Sequence, residues 1–269
     1  IDEIFKNNKF DAVIHLAAIV GDPACKESPD LAIETNWKAS KNLIGCAIKY
    51  NVKRFLFAST CSNYGKMEKS DEKLNEDSEL SPLSLYAELK VKFEKYILED
   101  LRNNSSIVPT ILRFSTVYGL SPRMRFDLTI NEFCKELFLG RELVVFGQQF
   151  WRPYCHVKDF SRAFELILES PSDEVGFNVY NVGSSYENYT KQMIIDEISK
   201  VISGVKIKYI QQQDDPRDYR VDFSKIKNSL GFKVSKTVPE GIKEIVNTFR
   251  DGFFTDCDDQ KYYNIKKNN

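Results

Sequence analysis

The sequence predicts an α/β protein built on a doubly wound parallel sheet, and two observations carry that class. The first three candidate strands, at 11–18, 54–59 and 107–113, are near-continuous apolar runs without polar alternation, as in strands covered on both faces. Amphipathic stretches at 30–50 and 83–103 separate them. Strands and helices alternating in this way build a parallel sheet layered by helices.

Each element has its own signal. Ala12-Val13-Ile14-His15-Leu16-Ala17-Ala18 is a short strand closing on small residues. Leu31, Thr35, Ala39, Leu43 and Ala47 recur every fourth residue, which predicts a helix over 30–50. Arg54-Phe55-Leu56-Phe57-Ala58-Ser59 is the second strand, and a charged loop at 66–80 follows it. Leu89, Phe93, Ile97 and Leu101 mark one face of the helix at 83–103, before the strand from Ile107 to Arg113. After about residue 119 the elements shorten. Strands at 143–146, 178–182 and 206–210 alternate with helices at 127–139, 158–169, 190–203 and 239–250. The expected organisation is a larger unit over 1–119, a smaller α/β lobe over 120–260 interleaved with it, and a polar tail at 261–269.

Composition excludes several classes. Of 269 residues 42% are hydrophobic and 29% charged, and the formal net charge is −1. No basic excess points to nucleic acid and no charge block to a membrane surface. No apolar run approaches the roughly 20 residues a membrane span needs. Six cysteines with no CxxC pair, and only two histidines, argue against a zinc site. Unpaired thiols suit a reducing cytoplasm.

The sharpest chemical signal is Tyr86-Ala87-Glu88-Leu89-Lys90. Residues four apart share a helix face, and an ammonium beside a phenol lowers its pKa toward general acid–base use. This pair opens the helix that follows the strand ending in Ser59-Thr60. Ligands of doubly wound sheets bind outside the carboxyl ends of the strands. A hydroxyl and a Tyr/Lys pair are therefore expected in one crevice.

At this point the sequence resembles the extended short-chain dehydrogenase/reductases, the NAD-dependent epimerase/dehydratase group. The resemblance runs in order through His15-Leu16-Ala17-Ala18, Asn36, Ser59-Thr60, Tyr64-Gly65, Tyr86 and Lys90. It continues through Arg113-Phe114-Ser115-Thr116-Val117-Tyr118-Gly119, Gly147, Arg152, His156-Val157-Lys158-Asp159 and Asp218-Tyr219-Arg220-Val221-Asp222. It implies a Rossmann-like domain with a smaller substrate lobe, NAD or NADP as cofactor, and a nucleotide-diphosphate sugar as substrate. By the same resemblance Tyr86 is the catalytic acid/base, Lys90 orients it and holds the nicotinamide ribose, and Thr60 hydrogen-bonds the reacting sugar oxygen. Leu16, Ala17, Ala18 and Ser59 would face the cofactor, and Thr116, Arg123, Arg152 and Arg217 the substrate. His15 and His156 take structural roles, and Asn36 ties two elements together. Related enzymes pair the helices at 30–50 and 83–103 across a two-fold axis, which implies a homodimer with Trp37, Ile44, Ile48 and Tyr96 on the outer face.

The sequence also departs from the family pattern. The GxxGxxG turn that cradles the cofactor pyrophosphate has no counterpart, which implies a chain entered just before the family's fourth strand. Such a fragment is expected to be catalytically dead and marginally stable. Cys61 and Ser62 stand where the 4,6-dehydratases carry Asp-Glu, Thr116 replaces a substrate-contacting Asn, and Pro153 replaces a common Asp. Three readings follow. The first is an epimerase that transiently oxidises a sugar hydroxyl, at C4. The second is a one-way C4 oxidase or keto-sugar reductase of surface-polysaccharide synthesis, similar to enzymes acting on a GDP-heptose. The third is a non-catalytic relative that binds a sugar nucleotide or a partner.

Overall fold

The structure, a computed structural model, describes residues 1–67, 72–102, 106–212 and 218–264. A four-stranded parallel sheet takes β1 (Ala12–His15), β2 (Arg54–Thr60), β3 (Val108–Phe114) and β7 (Val179–Val182) in the order β1-β2-β3-β7. Both of its interior strands are apolar on both faces, with Phe55, Leu56, Phe57, Ile111 and Leu112 at most 1% exposed. The edge strand departs from the expectation of full burial: Ile14 is 41% exposed.

One face of this sheet packs on α1 (Asp2–Asn7), α4 (Ser40–Lys49) and α5 (Leu85–Lys95). The opposite face packs on α7 (Val157–Glu169), α8 (Ser172–Val175) and α10 (Ser224–Leu230). The expected helix at 30–50 is three joined pieces. After α2 (Asp22–Glu27), α3 (Pro29–Ile33) runs through a π-helical turn at Glu34–Ala39 into α4. Asn36, inside that turn, accepts from the Ile19 amide at 2.8 Å and donates to its carbonyl at 2.9 Å. The segment after β1 is thereby tied to the helix.

The second layer begins one residue beyond β3. Ser115 donates to the Val182 carbonyl, and β4 (Thr116–Tyr118) then pairs with β6 (Trp151–His156), which also pairs with β8 (Asn188–Thr190). A separate parallel pair joins β5 (Glu142–Phe146) to β9 (Lys206–Ile210). Around these pack α6 (Thr129–Phe138), α9 (Lys191–Ser199) and α11 (Val238–Arg250). The first turn of α11 is secured by a reciprocal cap between Thr237 and Glu240. Gly119 ends β4 at φ +110°, where a Cβ would lie 2.3 Å from His156 Nε2. His156 itself is structural, bonded to Glu244 at 2.8 Å and to the Lys158 amide at 3.2 Å.

Ile44, expected on an outer helix face, is fully buried in the core beside Phe93 and Phe57. Its position on α4 turns it toward the sheet. Trp37 and Tyr96 pack edge to face on the same side of the helices, with the Lys41 ammonium over both rings.

Candidate active site

A cavity of about 520 Å³ opens at the carboxyl ends of β2 and β3, between the two layers. Its wall includes Leu16, Ser59, Thr60, Tyr86, Lys90, Thr116 and Arg152, so most of the residues singled out from the sequence meet there. The fold explains the convergence. β2 delivers Thr60, the first turn of α5 delivers Tyr86 and its second Lys90, and the step from β3 to β4 delivers Thr116. Ala17 and Ala18 lie outside the wall, and Arg217 lies outside the described residues.

Thr60 caps a 3₁₀ turn, Cys61–Tyr64, its Oγ1 accepting from the Ser62 amide at 3.1 Å. α5 starts on a Ser84 cap, whose hydroxyl accepts from Ala87 N and donates to Asp22 at 2.6 Å. The start of the Tyr86 helix is thereby anchored to α2. Lys90 is 5% exposed and donates to the Ala58 carbonyl at 2.6 Å. Its ammonium stands 5.8 Å from the Tyr86 ring centroid. Burial depresses the Lys90 pKa to about 8, against an opposing pull from Glu94.

The expected lowering of the Tyr86 pKa is not what the site shows. Desolvation in the wall, with Cys25 and Asp22 adding to it, pushes the phenol up. The ammonium serves a backbone carbonyl instead of the phenol oxygen, so the phenol keeps its proton.

Ser59 lines the wall while its hydroxyl donates to buried Glu94, so it also belongs to a network that reaches behind the wall. One further expectation needs correction. Arg123 is outside the wall, its guanidinium donating to the carbonyls of Lys261 and Tyr263 and to Asn264 Oδ1. It clamps the C-terminal segment, and no pattern local to Arg123 discloses that partner.

Arg152 lies over the Tyr219 ring at 5.4 Å. Tyr219, Ser62, Lys191 and Val20 also line the wall, and the sequence offers no local signal for Lys191 or Val20. The Ser62 and Tyr219 hydroxyls are 3.4 Å apart, joining the two layers.

Comparison with known proteins matches this arrangement. Residues 1–183 match the model of the NAD dependent epimerase/dehydratase family. The chain belongs to that family. It is 29% identical, over 91% of its length and 74% of the relative's, to a UDP-glucuronate 4-epimerase of Thermodesulfobacterium geofontis. It is 27% identical to a UDP-glucose 4-epimerase of Caenorhabditis elegans, over 92% of this chain and 76% of that one. Among solved structures, the UDP-glucose 4-epimerase of Thermotoga maritima with UDP-glucose superposes with a TM-score of 0.80 at 27% identity, over 94% of this chain and 81% of that one. MoeE5 in complex with UDP-glucuronic acid and NAD gives 0.79 at 25% identity, over 90% and 80%. The Rossmann-like α/β architecture and the family's NAD dependence follow from these matches. Among the described residues no helix is long and apolar enough to cross a membrane.

Proposed function

We propose that the protein interconverts the C4 epimers of a nucleotide-diphosphate sugar by transient oxidation of the C4 hydroxyl, with NAD or NADP as cofactor. One observation carries the reading: Thr60, Tyr86, Lys90 and Arg152 line a single cavity at the carboxyl ends of the parallel strands. A buried ammonium and a phenol on one wall fit the nicotinamide ribose and the reacting hydroxyl respectively. A nicotinamide cofactor held there by Lys90 and Tyr86 would supply reversible hydride acceptance from the sugar carbon.

The chain's own residues handle the proton. The Thr60 hydroxyl, whose oxygen already accepts from the Ser62 amide, donates to the sugar oxygen and fixes it beside Tyr86. The Tyr86 phenol is held protonated by burial, which suits the step that reprotonates the sugar oxygen. Taking the proton in the opposite step requires a positive charge nearby, and Lys90 supplies it below about pH 8. A cavity of about 520 Å³ lies in the range of small-ligand sites and leaves a keto sugar room to present its other face. Arg152 offers a planar guanidinium to the diphosphate, a geometry suited to phosphate oxygens.

Support for a homodimer comes from the half-buried Trp37 and Tyr96 on the α4–α5 side and from Leu31 on α3, 54% exposed. Six unpaired cysteines suit a reducing cytoplasm.

The reading is tested by incubating the full-length protein with NAD or NADP and a panel of UDP-, GDP-, CDP- and dTDP-sugars, following the sugar protons by NMR. Appearance of the C4 epimer is expected. Accumulation of reduced cofactor with a keto product would replace this reading by the one-way oxidase.

A further inference from the structure

Behind the cavity wall, buried polar side chains converge on one carboxylate. Glu94 is 1% exposed and lies one helical turn beyond Lys90 on α5, as Lys90 lies one turn beyond Tyr86. Its Oε1 accepts from the Ser59 hydroxyl and, at 2.8 Å, from Asn63 Nδ2. Arg113 on β3, 4% exposed, donates to the Glu94 carboxylate from Nη2 at 2.7 Å and from Nε at 3.1 and 3.2 Å. Its Nη1 donates to the Tyr64 hydroxyl at 3.0 Å, and Tyr64 donates to Asn181 Oδ1 on β7 at 2.7 Å.

This pattern has a consequence for Thr60. Ser59 precedes it, and Asn63 and Tyr64 end the 3₁₀ turn that it caps. Residues on both sides of Thr60 are therefore bolted to a single buried ion pair. Burying a carboxylate and a guanidinium costs desolvation free energy that a brace of apolar residues would avoid. A fixed hydroxyl position and a negative charge near Lys90 are what this pair supplies in return.

We propose that Glu94, held by Arg113, is a positioning residue that sets the Thr60 hydroxyl through Ser59 and Asn63 and sustains the positive charge of Lys90. The proposal rests on the reading of the cavity as the reaction site. The other groups facing Lys90 are Tyr86 on its own helix, the Cys25 thiol from α2 and His15 from β1. Burial keeps His15 neutral through most of the acid range, and of the two groups that favour the ammonium Glu94 contributes more than the Cys25 thiol, even with the Arg113 guanidinium bonded to its carboxylate. Its pull opposes the burial that brings Lys90 down to about 8.

The test is Glu94→Gln in the full-length protein, read in two ways. In protein carrying ¹³C-labelled lysine, with the Lys90 resonance assigned from Lys90→Arg, the Lys90 titration midpoint is expected to fall by about one pH unit or more, the scale of losing a nearby opposite charge. Turnover on the sugar nucleotide is expected to fall at least ~10-fold, with KM changing much less, as for an interaction that matters in the transition state. A purely structural brace would lower Tm and leave both the Lys90 midpoint and kcat unchanged, and that result overturns the proposal. Should the unpaired guanidinium prevent folding, Glu94→Gln with Arg113→Met removes both charges and carries the same turnover test. Tyr86→Phe separates the two levels of the argument. It lowers turnover by about 10²–10⁴-fold while leaving the Lys90 midpoint in place if the cavity reading holds. Turnover retained in Tyr86→Phe refutes the cavity reading, whereas the Lys90 midpoint in Glu94→Gln still decides the role of the carboxylate charge.

Discussion

The Lys90 ammonium donates to the carbonyl oxygen of Ala58, 2.6 Å away, and so joins the second turn of α5 to the last residues of β2. The depressed pKa of this buried lysine, about 8, predicts that activity falls as pH rises through that value and the ammonium is lost. The stability contribution runs the opposite way. An unfolded lysine titrates near 10.4, so between about 8 and 10.4 the unfolded chain binds the extra proton and Lys90 makes the native state gain stability with rising pH. A kcat profile taken with denaturant midpoints over pH 7–10 checks both. An alkaline limb unmoved in Lys90→Arg would remove Lys90 as its source.

Arg152 lines the same cavity as Tyr86, with its guanidinium over the Tyr219 ring. Arg152→Ala is expected to raise KM roughly 10- to 100-fold while changing kcat little, the loss of a charged hydrogen bond of about 1.5–3 kcal/mol. Arg152→Lys should recover only part of this, because an ammonium lacks the planar fork. Steady-state kinetics on the sugar nucleotide measure both, and a KM unaltered in Arg152→Ala would place the diphosphate elsewhere.

His15 is 5% exposed, its Nε2 is 2.8 Å from Ser40 Oγ, and its Nδ1 has no partner. Burial first, then the Lys90 charge, lowers its pKa to about 4. The unfolded chain therefore takes a proton near pH 6.5 that the native state refuses until about 4. Stability is lost as pH falls through that window, by up to about 3 kcal/mol at 1.36 kcal/mol per unit. Urea titrations at pH 7 and 4.5 should show a smaller acid loss in His15→Asn than in the parent, and equal losses would exclude His15 as the cause.

Gly119 combines φ +110° with a Cβ position 2.3 Å from His156 Nε2. Gly119→Ala is expected to destabilise by more than about 1 kcal/mol, since both the backbone conformation and the space are denied to a side chain. Thermal denaturation reads this directly, and a Tm equal to the parent's would show that β4 and His156 can part at little cost.

The parallel strands β2 and β3 and the helix α5 were readable because burial on both faces leaves an uninterrupted apolar run and a clear fourfold spacing. β6 gives no such signal. It carries Arg152 toward the cavity and Pro153 in mid-strand, and a proline within a short polar run argues against a strand from sequence alone. β4 and β8 have three residues each, too few for any period to emerge. The π-helical turn at Glu34–Ala39 is hidden because it shifts the register without altering composition. At the site, Thr60, Tyr86 and Lys90 stood out because two neighbouring elements carry them at fixed spacing. Lys191 arrives from a remote element and shows no local pattern, whereas Tyr219 sits in a motif but carries no sign there of facing the cavity. Arg123 misleads because a guanidinium advertises capacity to bind, while its partners, the C-terminal carbonyls, are fixed by the fold.

The central claim is that Tyr86 moves the proton of the reacting sugar hydroxyl. The most direct measurement is turnover of Tyr86→Phe against the parent, with full-length protein, cofactor and the sugar nucleotide identified by NMR, alongside Tm. Removing only the phenol oxygen should leave Tm within a few degrees and reduce kcat by about 10²–10⁴-fold, the usual share of a general acid–base group. Turnover near that of the parent, in a variant of unchanged Tm, would contradict the account.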